Sequence, residues 1–185
     1  MMAGEDKRVR RTRKLLRQAL AELMLEKEFK NITVTDLVRR ADINRGTFYT
    51  YYRDVYDLRE KVENEIIDSL RAAIQDGLPT AAAEASMTPL IEQAVQCLEN
   101  NRSLAYALLC DKAMGSFEEK LMSVIEDFCR LLHPPANEAD HYSIWFIAAG
   151  CIGLLKKWMI EPVPAARGAV LAMLDNLFQR TLQNA

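Results

Sequence analysis

Apolar residues recur along this chain at helical spacing almost from end to end, and nowhere in the sustained alternation of a half-buried strand. The first element spans about Lys7 to Glu26, with Leu16, Leu20, Leu23 and Met24 on one side. Arg10, Lys14 and Arg17 fall at i, i+4 and i+7 on another ridge of the same helix. Phe29-Lys30-Asn31 interrupts the pattern, and Thr33 then reads as an N-cap with Asp36 where a capping box has its acid. Val34, Leu37, Val38 and Ala41 give the second helix a single apolar stripe. Asp42-Ile43 makes a tight turn, and Asn44 is a good cap for a third helix. The fourth begins near Asp54, turns Leu58, Val62, Ile66, Ile67, Leu70 and Ile74 inward, and ends at Gly77, a typical C′ residue. At about 23 residues and 1.5 Å each it would be about 35 Å long.

An Ala-rich stretch, Pro79 to Ser86, predicts a loop. Further helices are expected from Thr88 to about Asn100, Ser103 to about Cys110, Ser116 to about Leu132, about Asn137 to Ile160, and Ala165 to Gln183. His133-Pro134-Pro135 and Glu161-Pro162-Val163-Pro164 supply the later breaks. There is no internal repeat and no credible sheet, so the expected class is all-α with about nine helices. Thr47 to Tyr52 is aromatic and β-branched, which propensity alone would make a strand. The Asn44 cap and the short connections favour a helix there.

Composition narrows the class. Of 185 residues, 50% are hydrophobic and 27% charged, with 7 Gly and 6 Pro, enough for a sizeable core and unlike a disordered or collagenous chain. The longest uncharged stretch of the second half, Tyr142 to Leu155, is 14 residues, against about 20 for a membrane span. The basic N-terminus has no apolar run behind it, which excludes a secretory signal. Four cysteines, at 97, 110, 129 and 151, are scattered, with no C-x-x-C and no nearby histidine pair, so neither a metal nor a cofactor is expected. These features predict a soluble, cytoplasmic protein with no membrane partner. A thiol sensor has only two hints, Lys112 near Cys110 and Arg130 beside Cys129.

Charge is distributed unevenly. Residues 1–60 hold 14 Lys/Arg against 10 Asp/Glu, and residues 61–185 hold 10 against 16. Lys7 to Arg17 contains seven basic residues and no acid. A basic head on an acidic body points to a polyanion partner for the head.

The two short helices joined by a tight turn have the spacing of a helix-turn-helix. A recognition helix enters the major groove by its N-terminal end, so that end must be small and polar. Gly46 removes a side chain where backbone meets DNA, Arg45 can pair bidentately with a guanine edge, and Thr47 suits a base edge or a thymine methyl. Tyr49 and Tyr51 carry hydroxyls suited to phosphate oxygens, and Thr33 and Thr35 sit at another helix N-terminus. Phe48 and Tyr52, four apart, belong to the core.

The stretch from Ile32 to Leu58, above all Gly46-Thr47-Phe48-Tyr49-Thr50-Tyr51-Tyr52, resembles the signature of the TetR (tetracycline-repressor-like) family of bacterial transcriptional regulators. The resemblance covers about the first 60 residues; the remainder matches in helix number and length. It implies an all-α homodimer on a palindromic operator, with a small ligand held in the C-terminal domain. The boundaries would be a three-helix DNA-binding domain over 1–53 and a ligand-binding and dimerisation domain over 54–185. Carried over, the DNA contacts fall on Thr33, Thr35, Asn44, Arg45, Gly46, Thr47, Tyr49, Thr50 and Tyr51. Members commonly place a phosphate-reaching lysine where this chain has Val55. Arg53, or the ridge of Arg10 and Lys14, would take over that charge.

The body offers no catalytic set: neither His133 nor His141 has an identifiable nucleophile or carboxylate partner, so no enzyme is expected. The eighth helix is apolar nearly all round, with Gly150 and Gly153 allowing close helix approach, and the ninth carries Val170, Met173, Leu174, Leu177, Phe178 and Leu182. A helix apolar on every side must be covered on every side. A second subunit forming a four-helix interface would do this; an internal core helix is the other reading. Tyr106, Met114, Phe117, Met122, Phe128, Trp145, Phe146 and Cys151 are large, soft and uncharged, which favours an apolar or aromatic ligand. The expected function is therefore a ligand-released repressor. Two alternatives stand beside it: a co-regulator whose body binds a protein instead of a small molecule, and an interaction module whose head has lost strong DNA binding.

Overall fold

The computed structural model describes residues 7–84, 88–111, 115–132, 134–160 and 167–182, and the side chains of all of these except 81–84, 132, 160 and 178–182. They form nine α-helices and no strand: α1 Lys7–Glu26, α2 Val34–Arg40, α3 Arg45–Tyr51, α4 Val55–Glu84, α5 Thr88–Asn100, α6 Arg102–Cys110, α7 Ser116–Leu132, α8 Glu138–Ile160 and α9 Arg167–Leu182. A single 3₁₀ turn, Phe29–Asn31, links α1 to α2. Among the described residues, no helix is long and apolar enough to cross a membrane.

Two compact units emerge. One holds α1 to α3, α4 as far as Glu65, and α6 from Ser103; the other holds α4 from Ile66, α5, α7, α8 and α9. Packing therefore divides the chain later than the functional boundary expected at 53/54. In the head unit, Leu16, Leu20, Leu37, Phe48, Leu58 and Val62 are fully buried. Phe48 and Tyr52 join this core, so Thr47 to Tyr52 is helical up to Tyr51 despite its strand-like composition. Tertiary burial of two aromatic rings outweighs a weak local propensity.

α6 joins the head partly through charge. Arg59 on α4 is 2% exposed and pairs with Glu63 at 2.7 Å. It also donates to Asp111, just beyond α6, and lies 4.6 Å over the Phe29 ring. Breaking such a buried group leaves a charge without water or partner, a loss of about 3–5 kcal/mol.

α4 departs from expectation. It does not stop at Gly77 but runs through Gly77 and Pro79 to Glu84. The first part of the expected loop is thus helix, and 85–87 lie outside the described residues. A Cβ on Gly77 would stand 2.8 Å from Leu90 Cδ2 and 3.2 Å from Gln93. The glycine lets α4 and α5 approach closely; it is not a cap.

α8 buries Ile144, Ile147, Ala148, Cys151, Ile152 and Leu155 against its own unit. Its other ridge, Tyr142, Trp145, Phe146, Gly150 and Gly153, is exposed. On α9, Val170, Leu171 and Leu174 point inward while Met173 is 55% exposed.

Candidate nucleic-acid interface

Local chemistry fixes the position of α3, the expected recognition helix. Thr33 and Asp36 form the reciprocal capping box: the Thr33 hydroxyl oxygen accepts from Asp36 N at 3.2 Å, and Thr33 N donates to Asp36 Oδ2 at 3.0 Å. Lys27, just beyond α1, donates to the same carboxylate at 2.7 Å. That ammonium, followed by the Thr33 donors, holds the Asp36 carboxyl well below the ordinary carboxylate range. α2 ends in a Schellman arrangement: Ile43 N donates to Val38 O at 3.0 Å, with Asp42 at φ 51° in the left-handed region. Asp tolerates that conformation better than most residues. Asn44 then caps α3, its Oδ1 accepting from Gly46 N at 2.8 Å.

This geometry sorts the expected DNA contacts. Asn44, Arg45, Gly46, Tyr49 and Thr50 are exposed, Thr47 and Tyr51 are half-buried, and Phe48 between them is inside. Arg45 Nη2 donates to the Tyr49 hydroxyl at 3.1 Å. Arg13 from α1 lies 6.0 Å from the Tyr51 ring. Thr33 and Thr35 are exposed at the start of α2. Two hydroxyl protons are already used: Thr33 Oγ1 donates to Asp36 at 2.7 Å and Thr50 Oγ1 donates to Gly46 O at 3.0 Å. Either hydroxyl must rotate before it can donate to a phosphate. Arg10 and Lys14 are exposed on α1, whereas Arg17 pairs with Glu65 at 2.9 Å.

Val55 is 6% exposed and sits in the core, so it cannot stand in for a phosphate-reaching lysine. Two basic groups flanking it in sequence, Arg53 and Lys61, are both held by Asp57. Asp57 Oδ2 accepts from Arg53 N at 2.9 Å and from Lys61 at 3.0 Å, and the Arg53 guanidinium lies 3.1 Å from Oδ1 with its side chain 81% exposed. The backbone donor of Arg53 and the Lys61 ammonium lower the Asp57 carboxyl below its ordinary value. Lys61 also donates to Tyr51 O at 3.1 Å, at the end of α3. The sequence reading passed over Lys61, although its i, i+4 spacing from Asp57 is the signal that finds it.

In the second unit, the residues expected to line one ligand pocket are dispersed. Phe128 and Cys151 line a cavity of about 70 Å³ with Ile74, Leu90, Ile91 and Leu174, and among the described residues no charged or hydrogen-bonding side chain other than the thiol faces it. Met122 and Trp145 line a separate open groove with Glu118, Glu119 and Glu126. Phe117 is fully buried, Trp145 and Phe146 are 56% and 63% exposed, and Tyr106 belongs to the head unit. Met114 lies outside the described residues, as do Lys112, His133 and the side chain of Phe178. Of the expected dimer surface, Gly150, Gly153 and Met173 face outward, Leu177 is half-buried, and Val170 and Leu174 are inside. The physical reason is rotation. A helix apolar on all sides gives no periodicity from which to tell inner face from outer.

Burial pushes the thiols of Cys129 and Cys151 up to about 12, so both stay protonated and unreactive at neutral pH. Among the described residues, no cluster of His, Cys, Asp and Glu is arranged to hold a metal ion.

Comparison with known proteins gives this geometry its class. Residues 85–180, just over half of the chain, match the TetR-family model for the transcriptional regulator C-terminal region. An uncharacterized HTH-type transcriptional regulator, YxbF of Bacillus subtilis (strain 168), is 37% identical over 73 residues. That segment is 37% of this chain and 19% of the relative's length. The dihydroxyacetone kinase operon activator DhaS shares the fold at a TM-score of 0.61 and 17% identity, over 94% of this chain and 97% of its own. A TetR transcriptional regulator from Streptococcus agalactiae 2603V does so at 0.60 and 18%, over 92% and 97%. The match over residues 85–180 defines the class, transcriptional regulators. The chain belongs to the TetR family of these regulators.

Proposed function

We propose that two copies of the chain bind a palindromic operator, one α3 in each of two successive major grooves about 34–36 Å apart. In functional terms, 1–53 carries DNA binding and 54–185 carries dimerisation and ligand response. The observation that carries this reading is the outward face of α3: Arg45, Gly46 and Tyr49 stand exposed while Phe48 and Tyr52 lock the helix from below. Arg45 and Thr47 read bases. Tyr49, Tyr51, Arg10, Lys14 and Arg53 hold phosphates, with Thr33, Thr35, Asn44 and Thr50 at the margins. Such a protein acts in the cytoplasm beside the chromosome, by binding and not by catalysis.

The ligand reading rests on the cavity that apolar residues of α4, α5, α7, α8 and α9 line. A compact apolar or aromatic molecule entering there would displace α4 and reset the spacing of the heads, releasing a repressor. Coupling of about 1–3 kcal/mol would change operator affinity about 5–150-fold. One observation favours the protein-partner alternative: the cavity of about 70 Å³ is smaller than the roughly 150 Å³ that accepts benzene in an engineered core.

Selection of bound duplexes from a random pool, at stated salt, tests the reading. A two-fold symmetric site is expected from the wild type. Arg45→Ala should relax preference at one base pair of each half-site, and Lys14→Ala should weaken all duplexes alike and flatten the salt slope by about 1. Sequence-blind binding throughout would shift the assignment to a regulator that needs a protein partner.

A further inference from the structure

The arginine assigned to base reading is already held in the free head. Arg45 Nη2 donates to the Tyr49 hydroxyl at 3.1 Å, and its guanidinium carbon lies 5.6 Å from the centroid of the Tyr49 ring. The two residues are one turn apart on α3, so each is the other's i, i+4 neighbour. Tyr49 is anchored in turn: its ring meets the fully buried Phe48 edge-on, centroids 5.5 Å apart at 87°. A chain of contacts therefore runs from the core, through an aromatic ring, to an exposed guanidinium.

An exposed arginine otherwise samples many rotamers, and that freedom is lost when it engages a base. A hydroxyl has one proton to donate and two lone pairs. Tyr49 can therefore accept from Arg45 and still donate its proton to a phosphate. The two contacts share one oxygen and are mechanically coupled.

We propose that Tyr49 is a positioning residue for Arg45, its hydroxyl and ring presetting the guanidinium for bidentate contact with a guanine edge, so that sequence discrimination depends on Tyr49 as well as affinity. This rests on the DNA-reading assignment above. It differs from a plain phosphate contact in a measurable way. A phosphate contact fixes register and carries no sequence information of its own, whereas a residue that orders the reading arginine changes preference at that arginine's base pair alone.

The test uses the full-length protein as wild type, Arg45→Ala, Tyr49→Phe and the double variant. Each is measured on the selected duplex and on duplexes changed one base pair at a time. Phenylalanine keeps the ring and its packing on Phe48, so the head stays folded, which circular dichroism checks. At the base pair whose preference Arg45→Ala erases, Tyr49→Phe should reduce discrimination by about 3- to 10-fold, the net scale of one ordinary solvent-exposed hydrogen bond. Preferences elsewhere should be unchanged, and the double variant should lose nothing further at that position, because the phenol acts through the arginine. If Tyr49→Phe weakens every duplex by one common factor and leaves discrimination at that base pair intact, Tyr49 is a phosphate contact only and the proposal falls while the DNA reading stands. If the wild type selects no preferred site, or Arg45→Ala leaves the profile unchanged, both fall together.

Discussion

Gly46 separates what the fold needs from what DNA would need. A Cβ there would find its nearest neighbour, Asn44 Oδ1, at 3.4 Å, an ordinary contact with a side-chain atom. The fold therefore does not demand glycine, and Gly46→Ala should leave thermal stability unchanged or raise it by up to about 1 kcal/mol. Operator affinity should fall roughly tenfold, about 1.4 kcal/mol, as the methyl meets the groove. Calorimetry paired with a binding titration checks both halves, and full retention of affinity would mean that α3 docks with Gly46 away from the duplex. Asp36 shows a single side chain with two roles. It completes the α2 capping box, which the Thr-x-x-Asp spacing foretold, and takes the Lys27 ion pair, which that spacing does not show.

At the scale of elements, α4 and α8 carry the main differences from expectation. Gly77 looks like a C′ residue in sequence, yet its backbone is helical and its bare Cα faces α5. Placing Val there drives carbon into the space held by Leu90, which is 1% exposed. Gly77→Val should therefore cost about 1–3 kcal/mol of stability from overpacking, despite valine's better helix propensity. Urea unfolding measures this, and an unchanged midpoint would show that α5 yields freely. The capped, amphipathic helices were legible: α5 and α7 have the bounds expected, and α1 has its apolar and basic sides where spacing put them. Those signals lie within four residues of one another. α8 had none to offer. With apolar groups all round, its rotation follows from its neighbours, and so Trp145 and Phe146 went to the pocket on paper while standing exposed in the fold.

For the whole molecule, that exposed ridge supports the proposed dimer. Tyr142, Trp145 and Phe146 leave large apolar surface in water, and the adjoining Gly150 and Gly153 have nothing within 4 Å of where a Cβ would stand. A second copy would cover the rings and use the bare backbone for close approach. Phe146→Glu should raise the dimer dissociation constant at least about tenfold while leaving helicity intact, with operator affinity falling in step because a monomer reaches one half-site. Sedimentation equilibrium of the full chain decides this. A variant that stays dimeric would exclude the α8 ridge as the interface.

The sequence by itself determined the helical class, the caps at Thr33 and Asn44, the turn at Asp42, the buried pair Phe48 and Tyr52, and the outward-facing residues of α3. The helical class, the caps and the turn are written in contacts between residues one to four apart, where backbone hydrogen bonding and side-chain chemistry decide locally. Only the tertiary structure decided that Gly77 serves helix packing, that Val55 is core, that α6 packs with the head through Arg59, and which face of α8 is left uncovered. Those outcomes depend on which distant segments compete for the same space and charge, and no local pattern encodes the winner.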